Sequence, residues 1–159
     1  MPAHLRLAPN PAPAAEVTFV SLPIRVVVAD DHTLLRRSLR LLLDNERDFE
    51  VLAEAADLAS AASHVEQLKP AVLVLDLRMP GGSSLDLIEQ LRGCVPQTEI
   101  VVLTMEQNPG FARRALAAGA LGFVLKDLAD VDLPAAVRAA AHGQEYVSPS
   151  VAAHLDVPG

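Results

Sequence analysis

The feature that most constrains this chain is a set of short, β-branched or apolar runs, each followed by a segment with helical spacing. Ile24–Ala29 is such a run, and Ala71–Leu75 is the strongest of the set. Runs of this kind suit strands buried on both faces of a parallel sheet. Phe49–Ala55, Glu99–Thr104 and Leu121–Leu125 read as three further strands. Leu35, Leu39, Leu42 and Leu43 recur at helical spacing and predict an amphipathic helix from about Thr33 to Leu43. Asp57–Leu68 reads as a helix that stops before Pro70. Helices are also predicted over Ser84–Arg92 and over Pro109–Ala118, the latter closing near Gly119. The last runs from Leu133 to His142, with Asp132 as N-cap, Pro134 in its first turn and Gly143 at its C-cap. Five strands alternating with five helices predict a parallel sheet with right-handed crossovers and both faces covered.

Outside this pattern, residues 1–22 are rich in Pro and Ala with few charges, and read as a flexible extension. Residues 23–145 form the folded domain, and 146–159 read as the start of a linker.

In an open parallel sheet, ligands bind beyond the carboxyl ends of the strands, where strand order reverses. Four of the five predicted strand exits carry a short polar or charged residue: Asp30–Asp31, Asp76, Thr104 and Lys126. Three carboxylates on one rim repel each other and stay ionised at neutral pH only with a cation among them or with raised pKa values. Mg²⁺ suits such a rim, because it takes one or two carboxylates together with a phosphate. A lysine and a threonine beside them complete a site suited to a phosphoryl group in transfer.

Composition removes other readings. The formal charge of −7 and the absence of Trp argue against nucleic-acid binding by this segment itself. The single cysteine, Cys94, cannot form an internal disulfide or an ordinary zinc site, which fits a reducing cytoplasm. The apolar runs fall short of a membrane span, and the proline-broken start does not resemble a secretory signal.

Four segments carry a family resemblance. VVVADDHTLLRRSL (26–39) resembles the acidic start of a response-regulator receiver domain, and VLVLDLRMPGGSSLDLI (72–88) its phospho-acceptor strand and loop. VVLTM (101–105) resembles the switch-threonine strand, and AAGALGFVLKD (117–127) the lysine strand. The resemblance implies a flavodoxin-like, CheY-like α/β fold with strand order 2-1-3-4-5, acting as a phosphorylation switch rather than an enzyme. It implies that Asp76 accepts the phosphoryl group from a histidine kinase. Asp31, Asp76 and the backbone carbonyl of Arg78 would ligate Mg²⁺, with Asp30 acting through water. Thr104 and Lys126 would hold the phosphoryl oxygens, and Phe123 stands where the family has a switch aromatic. Asp127 follows the lysine where many receivers have proline. That pair and the tail GQEYVSPSVAAHL (143–155) resemble the NarL/FixJ, LuxR-type branch. Members continue into a helix-turn-helix DNA-binding domain, so the chain reads as a truncated regulator that self-associates on phosphorylation, through the first and last helices or the fourth-helix face.

Blander roles compete for each residue. Asp30–Asp31 could cap a helix, Thr104 could simply end a strand, and Phe123 could be a core aromatic. Met79 and Met105 read as loop packing, His32 as a solvent-facing helix residue, and Cys94 as inert. Leu34 and Leu41 fall outside the core stripe of the first helix and offer a dimer face. Arg78 could reach Glu106 and shield the phosphoryl group from water. Two other functions compete: a degenerate receiver acting only as an interaction module, and an aspartyl-nucleophile phosphohydrolase. The latter needs an acid two residues after the nucleophile, where this chain has Arg78.

Overall fold

In the computed structural model, which describes residues 22–155, each of the five apolar runs becomes a strand and each segment of helical spacing a helix. The elements are β1 (Ile24–Ala29), α1 (Thr33–Asp44), β2 (Phe49–Ala55), α2 (Leu58–Leu68), β3 (Val72–Asp76), α3 (Ser84–Cys94), β4 (Glu99–Thr104), α4 (Pro109–Ala118) and β5 (Gly122–Leu125). A 3-10 turn at Lys126–Leu128 leads into α5 (Ala129–Ala141), followed by β6 (Tyr146–Val147) and α6 (Pro149–Leu155). The strands lie in the order β2-β1-β3-β4-β5-β6, all parallel. The expected flexible extension lies outside the described residues, apart from Leu22.

Alternation along the strands fills two cores. Val27, Leu73, Leu75, Ile100, Val102 and Phe123 pack against α2, α3, α4 and Val151 of α6. Val26, Val28, Val74, Val101, Leu103 and Val124 pack against Leu39 and Leu43 of α1 and Leu133 and Val137 of α5. Every residue of β3, β5 and Val26–Ala29 of β1 is buried, which is why these strands read as unbroken apolar runs. Truncating a residue such as Leu73 to alanine would cost about 2–5 kcal/mol. Gly122 is needed for space: a Cβ there would stand 2.8 Å from a methyl of Val101 on β4.

The sheet has six strands where five were expected. Residues 146–155, expected as the start of a linker, add β6 to the free edge of β5 and lay α6 beside α4. The strand is only two residues long and carries no periodicity of its own, so its sequence does not announce it. The last long helix also differs. It begins at Ala129, because the 3-10 turn runs straight into it. Asp132 therefore sits inside the first turn instead of capping it, and Pro134 lies within the helix rather than at its start. The C-terminal expectation holds. Gly143 has φ +74°, its N–H donates to Ala140 and the Gln144 N–H donates to Ala139, closing a Schellman motif.

Candidate functional site

The parallel register brings the exits of β1, β3, β4 and β5 to one rim of the sheet, carrying Asp30, Asp31, Asp76, Thr104 and Lys126. Asp76 is the last residue of β3, between β1 and β4, and is almost fully buried. Its Oδ1 accepts the Arg78 N–H at 3.0 Å, and its carbonyl accepts the Ser84 hydroxyl at 2.9 Å. Lys126 reaches back from the 3-10 turn, placing Nζ 2.9 Å from Asp76 Oδ2 and 3.0 Å from Asp30 Oδ2. Thr104 is buried, and its Oγ1 accepts the Glu106 N–H at 3.0 Å.

Burial sets the electrostatics of this cluster. It pushes the Asp76 carboxyl above the usual carboxylate range; the Arg78 N–H and Lys126 oppose the shift, and the Asp30 charge adds to it. Burial alone would lower the Lys126 pKa, but its ion pairs with Asp76 and Asp30 outweigh that, so its ammonium is held more firmly than usual. Asp30 Oδ2 is buried and lies within ion-pair distance of Lys126, yet accepts no aligned hydrogen bond.

A hard cation fits this donor set. Asp30, Asp31, His32 and Asp76 each offer a ligand atom, and these atoms all lie within 4.8 Å of one another. Three of the four are carboxylates, the preference of Mg²⁺ rather than of zinc. The incompletely satisfied Asp30 Oδ2 is a further polar atom that such a group would engage. His32, 70% exposed at its side chain, lies 3.3 Å from both Asp30 and Asp31. It precedes α1 as its N-cap residue, so it is solvent-facing, as expected, while still touching the acidic pair.

A cavity of about 170 Å³ opens over the rim, lined by Asp31, Asp76, Thr104 and Lys126. Arg78 and Glu106 form an ion pair at its mouth. A larger cleft of about 520 Å³ adjoins it through Asp31 and Arg78 and extends to Phe111 and Arg114 of α4. The buried charges of Asp76 and Lys126 line the smaller cavity and not the larger cleft. Phe123 is fully buried in the core beneath the sheet, and Met79 is buried with it, whereas Met105 is exposed.

Two supports escaped the reading of the sequence. Arg36 donates to the Asp30 carbonyl at 2.7 Å and pairs with Glu54 at 3.0 Å; Arg40 pairs with the same carboxylate at 3.0 Å. The two arginines outweigh the effect of burial and lower the Glu54 pKa. Arginines at i and i+4 on α1 mark one face, which is the only sequence signal for this clamp. Ser84 gave none, since a serine at a helix start reads as a cap.

Comparison with known proteins agrees with this geometry. Residues 26–138 match the response regulator receiver domain family. The chain is 37% identical over 125 residues to the oxygen regulatory protein NreC of Staphylococcus aureus, covering 78% of this chain and 58% of that protein. It thus spans a little over half the length of that relative. A LuxR-family two-component response regulator from Aurantimonas sp. superposes with a TM-score of 0.80 at 31% identity, covering 84% of this chain and 95% of the other. The receiver domain of the NarL response regulator of Mycobacterium tuberculosis superposes with a TM-score of 0.74 at 32% identity, covering 77% and 99%. The chain belongs to the receiver domains of two-component response regulators, in their NarL/LuxR branch.

Proposed function

We propose that Asp76 is the phosphoryl acceptor, that Mg²⁺ is held beside it by Asp31, Asp76 and the Arg78 carbonyl with Asp30 acting through water, and that a histidine kinase is the donor. The observation that carries this reading is the position of Lys126, whose ammonium lies between the buried carboxylates of Asp76 and Asp30 at 2.9 and 3.0 Å. A structural ion pair needs one carboxylate; a second one, buried and incompletely satisfied, is costly unless a cation joins it.

In transfer, a carboxylate oxygen of Asp76 forms the new bond to phosphorus as the bond from phosphorus to the donor's imidazole nitrogen breaks, and the imidazole then takes up a proton. When bound, Mg²⁺ supplies charge neutralisation for the phosphoryl oxygens. Lys126 neutralises a further oxygen, and the Thr104 hydroxyl donates to another after leaving its present turn. The added group brings roughly −1.5 to −2 charges, and the loops bearing Thr104 and Lys126 shift to meet it. The output is transcriptional, exerted through DNA contacts made by another part of a longer regulator.

Incubation with acetyl phosphate, read by intact-protein mass, tests this. One phosphoryl per chain should appear with Mg²⁺ and none with a chelator. Turnover of the donor without accumulation would favour a hydrolase, and no labelling at all a degenerate interaction module.

A further inference from the structure

The segment after α5 is bound into the strand that carries Lys126. At Phe123 the β5–β6 ladder uses backbone alone, with the Ser148 N–H donating to the Phe123 carbonyl at 2.9 Å. Two residues on, the Leu125 N–H finds no further strand, because the chain turns at Pro149 into α6. The Ser148 hydroxyl takes over there: Oγ accepts the Leu125 N–H at 3.1 Å and donates to Asp132 Oδ2 at 3.0 Å. The Tyr146 hydroxyl donates to the other oxygen, Oδ1, at 2.8 Å. Ser148 is fully buried and Asp132 nearly so, in the first turn of α5, where the helix dipole favours a carboxylate.

A serine immediately before a proline at a helix start would ordinarily spend its hydroxyl on capping that helix. Here its carbonyl accepts from Val151 and Ala152, while the hydroxyl goes to Leu125 and Asp132. The residue after Leu125 is Lys126. Its ammonium must stay within about 3 Å of two carboxylates and then follow an incoming phosphoryl group. The other end of α6 is tied to α4, since Arg113 donates to the carbonyls of His154 and Leu155 at 3.3 and 3.2 Å. One short helix thus bridges the elements that follow Thr104 and precede Lys126.

We propose that Ser148, oriented by Asp132 and Tyr146, is a positioning residue for Lys126, and that residues 146–155 are a working part of the phosphoryl site. The inference rests on the role given above to Lys126. Among the described residues, the serine is the acceptor that fixes the backbone directly before the lysine on the β6 side. Removing its hydroxyl leaves the Leu125 N–H unsatisfied and Asp132 with a single donor.

Calorimetric titration of the 159-residue chain tests this, with Mg²⁺ alone and with the phosphoryl mimic beryllofluoride in the presence of Mg²⁺. Ser148→Ala should weaken beryllofluoride binding about tenfold, the scale of one unmade buried hydrogen bond, and leave the affinity for Mg²⁺ alone unchanged. Ser148→Thr, which keeps the hydroxyl, should retain most of the binding. In a cycle with Lys126→Met, the double variant should bind no more weakly than Lys126→Met by itself, because Ser148 acts through that lysine. Full additivity, or equal loss of Mg²⁺ and beryllofluoride affinity, would make Ser148 a general packing residue and overturn the proposal. Should Ser148→Ala fail to fold, Tyr146→Phe must show a smaller loss confined to beryllofluoride; an unchanged affinity there overturns it as well. Wild-type chain that binds no beryllofluoride would bring down the functional reading and this proposal together. Loss on Lys126→Met without loss on Ser148→Ala would bring down only the latter.

Discussion

Arg78, two residues after Asp76, and Glu106, two residues after Thr104, are joined by an ion pair that spans the mouth of the small cavity. The guanidinium is mostly exposed, so the pair itself adds little stability. We propose that its consequence is kinetic, with the pair hindering the approach of water to a phosphoryl group on Asp76. Arg78→Ala and Glu106→Ala should each shorten the phosphoryl half-life by about two- to fivefold, and the double variant should fall short of the product of the two. Decay followed by phosphoprotein electrophoresis checks this, and unchanged half-lives in both single variants dismiss the cover.

Asp76→Asn should abolish labelling while keeping the fold. In metal-free buffer at neutral pH it should also raise the thermal midpoint by a few degrees, since it removes a charge that burial disfavours. The sign follows from linkage. The folded-state pKa of Asp76 is raised, so its cost is present where the group is ionised and is relieved as pH falls through that raised value. The gap between variant and wild type should narrow as pH falls from neutral, measured by scanning calorimetry at several pH values. A gap that widens on acidification would contradict the assignment of burial as the dominant cause.

Mg²⁺ should raise the thermal midpoint of the wild-type chain, because the proposed site exists in the folded rim and not in the unfolded chain. Asp31 is a third exposed and free of the core, so Asp31→Ala should leave the metal-free midpoint nearly unchanged and remove most of the Mg²⁺ effect. An equal Mg²⁺ shift in both proteins would take Asp31 out of the ligand set.

Self-association should use the face that α1 and the start of α5 leave uncovered. Leu34 and Leu41, two turns apart on α1, are 82% and 65% exposed, and Val131 on α5 is 71% exposed. Sedimentation with beryllofluoride should show a tighter dimer than without it, and Leu41→Asp should weaken that dimer at least tenfold without lowering phosphorylation. Identical equilibria in both states would point instead to relief of inhibition as the output.

Legibility differed between residues for physical reasons. Strands β2 and β4 and helix α4 were readable to the residue, since period and flanking turns agree there. The rim was readable because a charge at the end of a run as apolar as VLVL is expensive, so Asp76 stood out. Asp132 was misread, because an acidic residue before an apolar turn looks the same as a cap until its hydroxyl donors, 14 and 16 positions away, are known. Arg36 and Ser148 were missed for a related reason: the partners that define their roles, Glu54 and Leu125, lie 18 and 23 positions away.

The two-residue strand β6 has a consequence for where this domain can be cut. Ending the chain at residue 145 would strip the outer edge of β5, uncover Phe123 where Val147 and Val151 now lie, and leave the Leu125 amide facing water. A fragment so trimmed would present a bare, apolar strand edge, the template on which chains add to one another in solution. Ten residues that look like tether therefore cover the β5 edge that would otherwise stand open to pairing.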